Sequence, residues 1–392
     1  MWPKEKHEYR ATPREDHDDD DDWREEQDEH EPVLIQGRST VWDITYSVAV
    51  LFVAAFVCSV FVWLSLHSGR DHSRLLRQIP AYEAATSYAP CTDTPLPSSQ
   101  KCPQRKEWRT LTSAEQKDYI SAALCLQDLY SNVSSDSRLS AYDDFPWVYS
   151  HVGSSTRDSA AFLPWHRYFL HVYEDTLRGR CGYRGSLTYW DWTLDSDALE
   201  RSPVFDPESG FGGDGEIDGD PSIGRKGRCV TDGPFARTNV SLYDIQYKPH
   251  CLSRGFRDPA GNPSNHISSH ALSAESIEEI LTTSTTFSAF SESIQSRVAG
   301  IIPFSIAGDL ATFTAPYDPL FYLHHVQLDR LWWLWQQRNG KGLRRAYDGP
   351  RHRSSIEKAT RNDWLHFATL APKVQVKHVM DTENKASLCY RY

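Results

Sequence analysis

Apolar positions along the chain form one unbroken run and several periodic stretches. The run is "ITYSVAVLFVAAFVCSVFVWLSL", Ile44–Leu66, 23 residues without a charge, long enough to cross a hydrocarbon core of about 30 Å. A cleaved leader would have a shorter apolar region nearer the terminus, behind a basic rather than an acidic stretch. The run therefore predicts a single transmembrane helix.

The periodic stretches predict helices. In "TSAEQKDYISAALCLQDLY" the positions Tyr119, Ile120, Ala123, Leu124, Leu126 and Leu129 recur at helical spacing. Ser113 followed by Gln116 predicts a capping box at the start. A second helix is expected from about Pro164 to Arg178 and a third from about Asp318 to Arg338, with a weaker one over "SAESIEEILTT". Between the second and third lie long Gly/Pro/Ser/Asp-rich segments such as "DPESGFGGDGEIDGDPSIG". Loops of that length line a site or are tied off by disulfides. The pattern gives a mainly α-helical class with long loops and no internal repeat. Four segments follow: an acidic tail over 1–43, the membrane helix over 44–66, a stalk over 67–100, and a folded domain over 101–392.

Charge sharpens this division. Residues 1–40 hold six Lys/Arg against fourteen Asp/Glu, a net of −8, so the rest of the chain carries −3 of the total −11. The tail has too little apolar content to fold, and a near-neutral body offers no basic surface to nucleic acid. Arg70, Arg74 and Arg77 after the span would favour a cytosolic C-terminal side. Against this stand seven cysteines beyond the span (Cys91, Cys102, Cys125, Cys181, Cys229, Cys251, Cys389) and two glycosylation sequons, at Asn132 and Asn239. These fit an oxidising compartment. The expectation is a single-pass membrane protein with its C-terminal domain in the secretory lumen or outside the cell, at least one thiol being left over.

Candidate chemistry lies in the two aromatic helices. A lone histidine such as His166 in "FLPWHRYFLHVYE" reads as an ordinary core residue. A second aromatic helix, "DPLFYLHHVQLDRLWWLW", carries His324 and His325, and facing helices of a bundle can direct imidazoles at a metal. Imidazole sites without thiolate suit Cu, Zn, Fe or Ni.

The first of these stretches resembles the copper-A signature of tyrosinases and the second their copper-B signature. "YWDW", "SPVFDP" with "GFGGDG", "AGDL" and the ending "VMDT…LCYRY" extend the resemblance over roughly residues 100–392. It implies a fungal tyrosinase-like protein with a four-helix-bundle core, in which six histidines hold two coppers that bind dioxygen and oxidise phenols. It further implies a phenolic small molecule or a tyrosine-containing peptide as substrate, in secondary metabolism of the mycotoxin type.

Carried over position by position, the resemblance places His166 and His325 in register as metal ligands. Tyr149, Arg157, Ala299 and Pro303 stand at the other four places. His151, two residues beyond Tyr149, is a candidate substitute ligand. His266 and His270, at i,i+4 in "NHISSH", form a further candidate pair. An arginine has no lone pair to give a metal; Arg157 is expected to pair with Asp158 or another carboxylate, or to hold a substrate carboxylate. His324, Glu174, Asp329 and Arg157 are expected around the metal, with Glu174 or Asp329 paired to an arginine such as Arg167 or Arg330. Trp165, Trp190, Trp192, Trp332 and Trp333 read as core. No protein residue is assigned a catalytic role beyond the metal. Three readings remain open: a membrane-anchored copper oxidase or monooxygenase with two ions, a degenerate scaffold with none, and a mononuclear metal protein on His166, His325 and His151.

Overall fold

Two long helices position everything else, α3 (Phe162–Cys181) and α7 (Leu320–Arg338), and they pack against each other. The computed structural model describes residues 101–216, 227–236, 238–257, 267–338 and 340–392. The acidic tail, the apolar run 44–66, the stalk, Cys91 and His266 lie outside the described residues. Among the described residues no helix is long and apolar enough to cross a membrane.

The helices follow local chemistry. α1 (Ser113–Cys125) starts from a capping box one residue earlier than expected, with Thr112 as cap and Glu115 as its partner. α2 (Ala141–His151) is capped by Ser140 and Asp143 and contains Pro146. It is not among the helices that the sequence pattern predicts. A proline inside a helix costs about 3 kcal/mol, yet Tyr142, Phe145, Pro146, Val148 and Tyr149 are all buried, and that packing decides the conformation. α3 ends at Gly182, in the left-handed region at φ 66°. α4 (Ala274–Thr283) and α5 (Phe287–Arg297) take Ser273 and Thr286 as caps, and α6 (Ile301–Ile306) leads towards α7. The expected mainly helical core with long connections is therefore present.

The long middle segment is less irregular than its composition suggests. It forms two small antiparallel pairs, β1 (Arg228–Cys229) with β4 (Ser253–Arg254) and β2 (Asn239–Tyr243) with β3 (Gln246–Cys251). A third pair, β5 (Trp364–Phe367) with β6 (Ala371–Gln375), lies near the C-terminus. Disulfides join Cys102 to Cys389, Cys125 to Cys181 and Cys229 to Cys251, which leaves Cys91 as the odd thiol of the seven. Arg254 grips Asp318 through two nitrogens (2.7 and 3.0 Å) and donates to the carbonyls of Phe211, Gly212 and Gly213. The glycine-rich "GFGG" turn is thereby fastened to the entrance of α7. Trp165, Trp190, Trp192 and Trp332 are core residues as expected; Trp333 is half-buried against Tyr392.

Candidate metal and substrate site

α3 and α7 bring His166 and His325 together. Their rings stack, with centroids 4.2 Å apart and planes within 4°. The helices are locked at this level by the next residues along. Arg167 donates to Asp329 at 2.5 Å (Nε to Oδ1), and both are buried. Asp329 also accepts from Tyr390 (2.6 Å) and Tyr392 (2.5 Å) and lies 3.5 Å from Arg105. Arg105 reaches Glu174 at 2.5 Å, and Arg178 holds the other oxygen of Glu174 at 2.6 Å. Glu174 and Asp329 are thus members of one buried ion network joining α3, α7 and the C-terminal "YRY". Arg330 pairs with Asp191 instead, at 3.2 Å.

Hydrogen bonds fix the tautomers. The Nδ1 of His166 lies 2.8 Å from the carbonyl of Phe162, so Nδ1 carries the proton and Nε2 keeps its lone pair. That Nε2 is buried and has no partner among the described residues. His324 donates Nε2–H to the Ala299 carbonyl at 3.1 Å, and its Nδ1 is unpartnered in the same sense, as is the Nδ1 of His325. Burial holds His166 down to about 3, with the Arg157 and His324 charges adding to it against the Phe162 carbonyl. Burial brings the His324 pKa down to about 4, against the Ala299 carbonyl. His325 lies well below the ordinary range through burial, then His166, His324 and Arg157. All three are neutral donors at physiological pH.

A cavity of about 220 Å³ opens on His325. Its wall includes Tyr149, Arg157, Ala299 and Pro303, the four residues at the remaining ligand positions of the family pattern. Those positions therefore do converge on one place, without imidazoles. Phe162 and Phe321 complete the aromatic wall. Each stands four residues before its histidine on the same helix face, a spacing that makes both legible in the sequence.

Arg157 lines this cavity and an adjoining one of about 160 Å³, and does not fill either. The expected pairing with Asp158 is not formed. Asp158, at φ 56°, turns to Arg353 at 3.2 Å. Arg157 meets the Tyr149 phenol instead: burial raises the Tyr149 pKa, while the charge of Arg157 and its hydrogen bond act in the opposite direction.

His151 is not brought to the cavity. It is exposed at the end of α2, stacked on Trp147 at 3.9 Å, with Nδ1 on the Trp147 carbonyl at 2.7 Å. His270 is exposed on a short turn before α4. No group of three or more His, Cys, Asp or Glu suited to a metal occurs among the described residues. The donor chemistry fits copper at two points, the neutral lone pairs of His166 and His325, and among the described residues no group of three donors completes a site around either.

Comparison with known proteins gives the lineage. Residues 132–338 match the family described as the common central domain of tyrosinase. The tyrosinase-like protein phomQ1 of Diaporthe leptostromiformis is 43% identical over 74% of this chain and 77% of its own. Tyrosinase ustQ of Aspergillus flavus is 40% identical over 77% and 82%. A polyphenol oxidase structure from Thermothelomyces thermophila superimposes with a TM-score of 0.62 at 27% identity, covering 74% of this chain and 88% of that one. With the two signature histidines and the ion network around them, these matches show that the chain belongs to the tyrosinase family, a family of oxidoreductases.

Proposed function

We propose that this chain is a membrane-anchored, copper-dependent oxidase of fungal secondary metabolism, acting on a phenolic ring held in the cavity at His325. The observation that carries the reading is the pair of buried, neutral imidazoles with unpartnered nitrogens beside an aromatic-walled cavity. His166 and His325 would each hold one ion. Copper, when bound, supplies the exchange of electrons between a phenol and dioxygen. The protein's own part is binding and orientation. Phe162 and Phe321 offer faces to a flat ring and keep water from it, and a cavity of about 220 Å³ suits one ring with a short substituent better than a large ligand. Tyr149 and Arg157 provide polar groups at its wall.

The anchor is read from the uncharged run 44–66. A lumenal or extracellular domain is supported by the three disulfides and by the exposed side chains of Asn132 and Asn239 at the sequons. A second reading, a scaffold that has lost copper chemistry, is favoured by Tyr149, Arg157, Ala299 and Pro303 at ligand positions.

One experiment separates the two. The full chain, copper-loaded in detergent, is assayed for bound copper and for oxygen uptake with a set of monophenols and catechols. Copper retention with oxygen uptake that disappears in both H166A and H325A supports the oxidase. A folded chain that retains no copper and consumes no oxygen leaves the scaffold.

A further inference from the structure

Arg157 is the charge this cavity cannot balance internally. Three charged side chains line it: Arg157, Asp158 and Arg353. Asp158 and Arg353 bind each other at 3.2 Å, so their charges cancel locally. Among the described residues Arg157 enters no ion pair; Asp244, which shares the adjoining outer cavity, makes none with it. The Tyr149 phenol lines the same two cavities. A guanidinium facing an aromatic pocket with no counter-ion presents a fork matched to a carboxylate.

We infer that Arg157 recognises a carboxylate on the substrate, so that the ligand class is a phenol bearing an acid group one short chain from the ring. This rests on the reading of the cavity as a phenol site. Two sources share that chemistry, a free phenolic acid and a peptide ending in tyrosine. Arg157 borders both cavities. A ring among Phe162, Phe321 and His325 can therefore place its acid group at the guanidinium, and any upstream peptide would continue past Tyr243 and Phe313.

The test is calorimetric titration of the full chain with 3-(4-hydroxyphenyl)propionate, its neutral amide, and Gly-Gly-Tyr with a free or amidated C-terminus. Each acid should bind about tenfold tighter than its amide, the worth of one partly exposed charge-assisted contact. In R157Q that ratio should fall to within about twofold. R157K should keep an intermediate ratio, since an ammonium keeps the charge and loses the fork. A preference in the propionate arm alone identifies a free acid, and one in the peptide arm a C-terminal tyrosine. Equal binding of acid and amide by the wild type overturns the inference and leaves the phenol reading standing. So does a ratio unchanged in R157Q. If neither acid nor amide binds, the phenol reading falls and takes the inference with it. Arg157 is exposed on a turn, so R157Q should keep the wild-type melting temperature; should it misfold, the wild-type ratio and R157K decide.

Discussion

The ring of His166 lies face to face with that of His325, their centroids 4.2 Å apart and their planes 4° from parallel. Flat rings so close cannot lie side by side without overlap, so the planes are separated by roughly a van der Waals contact of 3.5 Å. A ligating nitrogen points its lone pair within its ring plane, with the metal about 2 Å along it. Two parallel planes have no such point in common. One ion gripped in plane by both imidazoles is therefore not available to this geometry; on the two-ion reading proposed above, each ring would serve its own ion.

The consequence is measurable as copper content. H166A and H325A should each remove only the copper its own ring binds, and the double variant the sum of both losses. Metal analysis after exhaustive dialysis reads this directly. Complete loss in either single variant would mean that one ion is shared, against the stacked geometry.

The clasp below the histidines should dominate the stability of the site. Burial raises the Asp329 pKa, but Arg167, Arg105 and the two tyrosines more than offset it, and the carboxylate lies below its usual range. Removing that charge leaves two buried guanidiniums short of a partner. D329N should cost about 3–5 kcal/mol, the range for breaking a buried pair from one side. The R167M/D329L double variant should cost less than the sum of its two single changes. Urea titration of the wild type, D329N, R167M, D329L and the double variant checks both statements, and a D329N loss below about 1 kcal/mol would show that the network is not the lock between α3 and α7.

Helices α1, α3 and α7 were legible because each carries an apolar stripe at helical spacing, and the register of the signatures placed His166 beside His325. α2 was hidden by Pro146, whose local signal opposes a helix that tertiary burial enforces. Ion-pair geometry was partly readable: Arg167–Asp329 follows from neighbours of the two histidines. Arg105 comes from the segment before α1 and has no local mark of its destination. His151 lies only two residues from a ligand position, yet at helical spacing two residues turn a side chain by about 200°, and there it met Trp147 instead of the cavity. The absence of Arg157–Asp158 pairing depends on the positive φ of Asp158, which adjacent residue types do not encode.

Disulfide pairing, also unreadable from spacing, gives a clean stability test. Cys125–Cys181 spans 56 residues of sequence and joins the ends of α1 and α3. In the chain-entropy account a loop of that length is worth about 4 kcal/mol. C125A/C181A should lower the unfolding free energy by roughly that amount while leaving the cavity's lining in place. Chemical denaturation measures the loss, and peptide mapping should find Cys91 outside all three bridges. Recovery of Cys91 bonded to Cys102 or Cys389 would contradict the pairing.

His250 should make stability depend on pH in a defined direction. On β3 its Nδ1 meets the Lys248 carbonyl at 2.8 Å and its Nε2 meets Asp309 at 2.8 Å. Both partners accept, so the imidazolium, with an N–H on each nitrogen, is the form that satisfies both. Burial works against the charge, but the hydrogen bond and charge of Asp309, with the Lys248 carbonyl, outweigh it, and the pKa is raised above 6.5. A folded-state pKa above the unfolded one contributes stability that is fully present below about 6.5 and lost as pH rises through the higher folded value. The melting-temperature advantage of the wild type over H250Q should therefore be largest near pH 6 and shrink steadily towards pH 9. An advantage that grows with pH would show that His250 is held neutral, with Asp309 accepting from an uncharged ring.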